Sequence, residues 1–381
     1  MTATDVNSET DAFDRAMAAG GPSTALDQLM ARARAERRPR PLLDALLLKA
    51  RHDLGLPTIA GGPLADLPEP GRTRYEERYV EALREVGGIL LADGEIAAAW
   101  PYFRAIGEPE AVARAIDEYT MDHRLDQVVE VAFNQGANPR RGFALILENY
   151  GACAAISAYS GLPDDNAVRV EAVDRLVRAL HAQLIANLRA ELGRSDVESA
   201  ETTVDGLLAA VPGLMDDDTY HIDVSHLSAV VRLSPLLVDL AAIRLALELT
   251  DYGRALGPLH RSDDDPPFAD TYADHALYLR ALVGEDVEAA LAHLRLAVAD
   301  ADGDTIPAQV LVKLLDRLGR ADEAIEVADA HLAEVPEGSL GCPGLSTLCR
   351  ASGRPGRLAE SCRRRGDAVG YAAARLAVDD R

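Results

Sequence analysis

Tyr220, His221, Asp223, Ser225 and His226 stand within seven residues, inside the segment MDDDTYHIDVSHLSAVVR that runs from Met215 to Arg232. Two of the chain's nine histidines are here, beside four aspartates. Imidazole nitrogens and carboxylate oxygens are the usual donors to Fe(II) and Zn(II). Thr219 to Val224 is rich in β-branched and aromatic residues and has no helical period, so it reads as extended. Residues two apart then share a side, which places His221 with Asp223 and Tyr220 with Ile222. From Leu227 the spacing Leu227, Val230, Val231 is helical, with Asp223 or Ser225 available as the cap. A turn at Ser225 brings His226 back toward His221 and Asp223. Two imidazoles and one carboxylate on one side of a metal leave room for water or substrate. That set suits non-haem Fe(II) or, with one more His or Glu, catalytic Zn(II).

The same residues have a plainer reading. Asp223 is then an N-cap, Asp216 to Asp218 a solvated loop, and the histidines packing residues. A helix N-terminus carries partial positive charge, which disfavours a nearby cation.

More distant residues could complete a metal site. His181 lies in LVRALHAQLIANLRAEL on a semi-apolar helix face; it is either a fourth ligand or a satisfied core histidine. Glu148, in LILENYGAC, follows three apolar residues and is either turned inward toward a metal or a histidine, as a catalytic-site group that completes or supports the ligand set, or paired with Arg141. Tyr150 and Tyr220 are placed to orient a substrate. His275 and Tyr278, one turn apart, can meet. They follow a second acidic turn, Asp263 to Asp265, which reads as solvated. No phosphate-cradling Gly-rich loop, GxSxG elbow, HExxH or dinucleotide fingerprint occurs.

Helices must position these groups. Of the 381 residues, 48% are hydrophobic but only 4% aromatic, with Ala and Leu carrying the apolar load. That is the composition of packed helices. Residues 1 to 9 are expected to be disordered. Helices follow over Thr10 to Ala18, Thr24 to Glu36 and Leu42 to Leu54. The loop Leu56 to Gly71 is rich in Pro and Gly. Helices resume over Arg72 to Ala92, Glu95 to Ile106, Glu110 to Tyr119, Leu125 to Gln135 and Pro139 to Tyr159. The last contains Gly151-Ala152-Cys153-Ala154-Ala155, a small-residue stretch that would let another helix approach, with Cys153 as packing. Further helices are expected at Asn166 to Leu192, Val197 to Ala210, Pro235 to about Leu256, Phe268 to Val283 and Val287 to Ala299. The pattern divides into 1–71, 72–138, a central 139–260 holding the site, and 261–381.

Thr305 to Pro336 resembles a tetratricopeptide repeat. Leu311, Leu315, Gly319, Ala324, Ala328 and Pro336 occupy that motif's large, small and terminating positions, and His331 departs from it. Gly94, Ala99 and Phe103 repeat the spacing after Val86 and Leu90. Gly284 and Ala289 repeat it again, with His293 where an aromatic is common. The chain also resembles an uncharacterised bacterial family of helical-repeat proteins with a His-x-Asp-x-Ser-His-Leu-Ser segment, here residues 221–228. The resemblance implies an all-α fold, a curved array of antiparallel helix pairs with an atypical centre, and no established activity.

The net charge of −23 repels phosphate backbones and anionic lipid, so neither nucleic acid nor membrane is an expected partner. No signal-peptide-like stretch opens the sequence, and the most apolar span, Leu236 to Leu249, is broken by Asp239 and Arg244. A cytoplasmic protein is expected. Cys153, Cys342, Cys349 and Cys362 have no metal or disulfide spacing and are expected to be reduced structural thiols, the last three beside polar turns. The expected function is a metal-dependent enzyme, Fe(II) or Zn(II), acting on a small molecule or peptide in the concave centre. His221, Asp223, His226 and His181 would be its ligands. The alternative is a protein-interaction scaffold without catalysis. A closed pocket of converging side chains would favour the enzyme, and an open groove lined by Asn, Lys and Arg the scaffold.

Overall fold

Helices are cut from this sequence mostly by glycines and by Asp caps, and the structure shows where each cut falls. It is a computed structural model that describes residues 3–59, 69–194, 200–210, 213–216, 218–261 and 264–379. No β-strand occurs among them. By packing, the chain divides into two units, Met1–Asn149 with Gly161–Pro163, and Tyr150–Ser160 with Asp164–Arg381.

The first unit holds α1 (Ala3–Ala35), α2 (Pro39–Asp53), α3 (Gly71–Ala92), α4 (Ile96–Ala105), α5 (Glu110–Asp117), α6 (Leu125–Val129) and the start of α7 (Pro139–Tyr159). The backbone is already helical from Ala3, where disorder was expected. The two predicted N-terminal helices are halves of α1, divided at Gly21, whose φ of 77° lies outside the helical region. Trp100 and Phe103 of α4 pack with Val86 and Leu90 of α3 and with Val112 and Ile116 of α5. A Cβ on Gly87 would lie 2.8 Å from the Phe103 ring, so this approach of α3 and α4 requires glycine.

The second unit holds the end of α7, then α8 (Asn166–Arg194), α9 (Val204–Ala210), α10 (Val224–Leu233), α11 (Leu240–Ala255), α12 (Thr271–Leu282), α13 (Val287–Ala299), α14 (Ile306–Arg317), α15 (Ala321–His331), α16 (Leu345–Ala351), α17 (Pro355–Arg365) and α18 (Ala368–Asp379). α8 packs on α9, α10 and α11, and from α11 to α18 each helix packs on the next. Leu311, Leu315, Ala324 and Ala328, picked out by their spacing, are all buried in one core with Leu291 and Leu294. None of the described helices is long and apolar enough to cross a membrane.

Several expectations are corrected in detail. Gly151 does not admit a neighbouring helix: its φ is 83° and a Cβ there would meet nothing within 4 Å, so it is a break in α7. Cys153, in the same stretch, is exposed, whereas Cys349 and Cys362 are buried. Ala289 is exposed and Ala290 is the buried small residue. The turn before α13 runs Val283 to Asp286, one residue longer than the turns Asp93–Glu95 and Leu318–Arg320, and this shifts the register by one. The helix expected from Pro235 is interrupted. Ser234–Leu236 forms one 3-10 turn, Leu237 leaves it at φ −58°, ψ 140°, and α11 starts afresh under an Asp239 cap. Of the expected features, residues 60–68 of the Pro/Gly-rich loop, residues 197–199 of the helix predicted from Val197, and Asp217, Ser262 and Asp263 of the acidic turns lie outside the described residues.

Candidate functional site

Asp223 ends the irregular segment and starts α10. Its Oδ1 accepts the backbone N–H groups of Ser225 at 2.8 Å and His226 at 3.3 Å, and the Ser225 hydroxyl at 2.5 Å. The hydroxyl bond and then the His226 N–H hold its carboxyl below the usual range. The chain therefore turns at Asp223, two residues before the Ser225 turn expected from sequence. Alternation fails as well. Ile222 is buried at 4% exposure, while Tyr220 is 53% exposed with its ring edge-on to His260. The bend at His221 and Ile222 separates two side chains that a straight strand would have placed together.

His221 is bracketed by two helices. Asn187 of α8 donates to its carbonyl at 2.7 Å. Tyr252 of α11 accepts its backbone N–H at 2.6 Å, and the same hydroxyl lies 3.1 Å from Nδ1. The Tyr252 hydroxyl either donates to Nδ1 or accepts from it, according to the imidazole tautomer. Nε2 is buried with no partner among the described residues. Burial, chiefly, holds the imidazole below its usual pKa, and burial pushes the Tyr252 phenol up to about 12.

His181 is buried in α8 and pairs with Glu248 of α11 at 2.9 Å. Glu248 also accepts the Val204 N–H at 2.9 Å. Burial alone would raise that carboxyl, but the two hydrogen bonds hold it below the usual value. Glu148, in the first unit, pairs with Arg141 at 3.2 Å rather than turning inward. Tyr150 is 44% exposed. His275 is buried at 2% exposure, stacks on Phe268 at 4.0 Å and bonds to the Thr271 carbonyl at 2.6 Å. Tyr278 meets the same Phe268 ring edge-on at 5.9 Å.

Tyr220, His221 and Asp223 do come together, lining a cavity of about 370 Å³ with Asn187, Glu191 and Arg194 of α8. His226 and His181 do not line it. Among the described residues, no group of three His, Cys, Asp or Glu side chains could hold a metal ion. The donors fit that role poorly on their contacts as well. Asp223 Oδ1 already accepts three hydrogen bonds, and His221 Nδ1 faces the Tyr252 hydroxyl.

A larger open groove lies elsewhere in the second unit, with a volume of about 770 Å³. Its walls include Asn166 at the start of α8, Leu236 and Val238 from the interrupted helix, Leu240 of α11, and Lys313 and Arg317 of α14. Val238 and Leu240 are 66% and 57% exposed. Arg317 donates to the Pro235 carbonyl at 2.8 Å and to the Leu237 carbonyl, which fixes the interruption against α14. Lys313 is half-buried, and burial first, then Arg317, lowers its pKa. None of these groove residues stood out as a site in the sequence reading. Two signals were available: Lys313 interrupts the apolar run VLVKLL, and the chain has only two lysines, Lys49 and Lys313, among its 39 basic residues.

No protein family matches the chain, and no curated protein matches it.

Proposed function

We propose that the chain is a helical-repeat binding protein of tetratricopeptide-like design whose second unit holds a partner segment in the groove between α8, α11 and α14. The observation that carries this reading is the groove itself. It is open, it presents exposed Val238 and Leu240, and Asn166, Lys313 and Arg317 stand at its walls. Exposed aliphatic side chains beside fixed polar groups are what an incoming chain can cover and register against. The histidine segment is compatible with it, because Asp223 caps α10 and the His221 backbone is bracketed by Asn187 and Tyr252. The test is a displayed random peptide library. Enriched peptides should bind the wild type and lose at least about tenfold on Leu240→Asp, a change of roughly 1.4 kcal/mol or more. They should be indifferent to Leu259→Asp, whose residue is 81% exposed and outside the groove. A library without binders, or binders indifferent to Leu240→Asp, would refute it.

A metal-dependent enzyme remains a second reading on one observation, the cavity shared by Tyr220, His221 and Asp223. Metal analysis of protein purified without a His tag separates the two. Stoichiometric iron or zinc that is lost on His221→Ala would favour the enzyme.

A further inference from the structure

The lysines of this chain differ in one respect. Lys49 donates to Ser23 and to both oxygens of Asp53, each at 2.8 Å, and lies 3.8 Å from Asp27. Lys313 has no hydrogen bond or ion pair among the described residues, although it is half-buried in the groove wall. Taking an ammonium partly out of water without a partner is unfavourable. Its neighbour Arg317 adds a second positive charge, bonded to carbonyls and to no carboxylate. Among the described residues Asp316 is the one carboxylate lining the groove, exposed and forming no pair with Lys313, and the Cys342 thiol also faces the ammonium, its pKa pushed up to about 11 by burial. The groove thus carries a local surplus of positive charge inside a chain of net charge −23.

We propose that the occupant is an extended peptide with a single carboxylate side chain flanked by aliphatic residues, the carboxylate pairing with the Lys313 ammonium. This rests on the groove reading above and gives it a chemistry. The local field asks for one negative group at Lys313. Asp316, exposed on the same wall and within the Debye length of about 8 Å, opposes a run of further negative groups beside the first. Val238 and Leu240, beside Leu236 and Leu340, supply the apolar area that aliphatic flanks would cover. A free acidic peptide run, a nucleic acid or a cationic segment each fail one of these three conditions.

The test uses full-length protein on an array of capped octapeptides built from Leu, Val, Ala and Gly. The central residue is fixed as Glu, Gln or Lys, with a fourth set carrying four consecutive Glu. The Glu set should bind at least about tenfold tighter than the Gln set, the Lys set should not bind, and the four-Glu set should be weaker than the single-Glu set. On Lys313→Met the Glu preference should vanish while the Gln set binds as before, and Lys313→Arg should retain part of the preference. The preference should also fall as pH rises through the lysine's pKa, which lies below 10.5. Equal binding of the Glu and Gln sets, or a Glu preference that survives Lys313→Met, overturns the proposal while leaving the groove reading in place. Binding by none of the four sets overturns both. Decanoate displacing the Glu peptides at equal concentration would assign the site to a small carboxylate and overturn the peptide.

Discussion

His181, His221 and His275 of the second unit and Lys313 are bases held at least partly out of water, but the fold has treated them in opposite ways. His181 has Glu248, His275 has the Thr271 carbonyl and the Phe268 face, and His221 has Tyr252. Among the described residues Lys313 has no hydrogen bond or ion pair, only the Cys342 thiol beside it. Polar groups with protein partners contribute to stability, while a half-buried charge without one detracts from it and is available to something else. Crowding in sequence, as from Tyr220 to His226, therefore does not tell which polar atoms the fold leaves without a partner; there, among the described residues, it is the buried His221 Nε2. The sharpest consequence is a difference of sign: substitutions in the histidine group should destabilise, and removal of the lysine should stabilise.

The largest expected effect is on acid stability. Burial lowers the His275 pKa to about 4, from 6.5 for an exposed imidazole. Between those values the unfolded chain binds a proton that the native core refuses. The contribution is complete above pH 6.5 and lost as pH falls through 4, roughly 3 kcal/mol in all. Denaturant titrations at pH 7 and pH 4 should show it, and His275→Gln should reduce the difference between them by a similar amount. An unchanged pH dependence in the variant would break the description of His275 as a buried neutral base.

Next is Tyr252→Phe. Its hydroxyl is the partner of the His221 N–H, so the change strands a backbone donor and should cost about 1–3 kcal/mol. A destabilisation below about 0.3 kcal/mol would mean that the bracket holds nothing.

Asp223 separates a cap from a ligand. Asp223→Ala should cost about 1 kcal/mol and Asp223→Asn only a few tenths, because Asn caps almost as well. If Asn were as costly as Ala, or if it removed a bound metal, the capping description would be wrong.

Much of the fold was legible in the sequence, and the reasons are local. Gly94, Gly284 and Gly319 all adopt positive φ in the turns where the spacing put them. The Asp223 cap was one of two readings, and it is local too. What was not legible depends on residues far apart in the chain. His181 and Glu248 are separated by 67 positions, His221 and Tyr252 by 31, and nothing in either helix's pattern names the partner. The groove is harder still, since it exists because Pro235 and Leu237 leave the helix and Arg317, some 80 residues on, seals their carbonyls. Lys313 was visible as an oddity among arginines and leucines, but its lack of a partner is a fact of three dimensions.

The smallest expected effect has the opposite sign. Lys313→Met removes an unpartnered ammonium from a half-buried position and keeps the stem packed, so it should raise stability by about 0.5–1 kcal/mol. A loss of stability would show that the ammonium is partnered in solution after all.

The most direct measurement is the titration of Lys313 itself. With two lysines in the chain, ¹³C-lysine labelling gives two side-chain Cε signals, and Lys49→Arg assigns them. In the unliganded protein Lys313 should titrate below 10.5, and saturation with a Glu-centred octapeptide should move its midpoint upward while the Gln twin leaves it in place. A midpoint at or above 10.5 in the unliganded protein, or one that the Glu peptide does not move, would contradict an unpaired lysine waiting for a carboxylate.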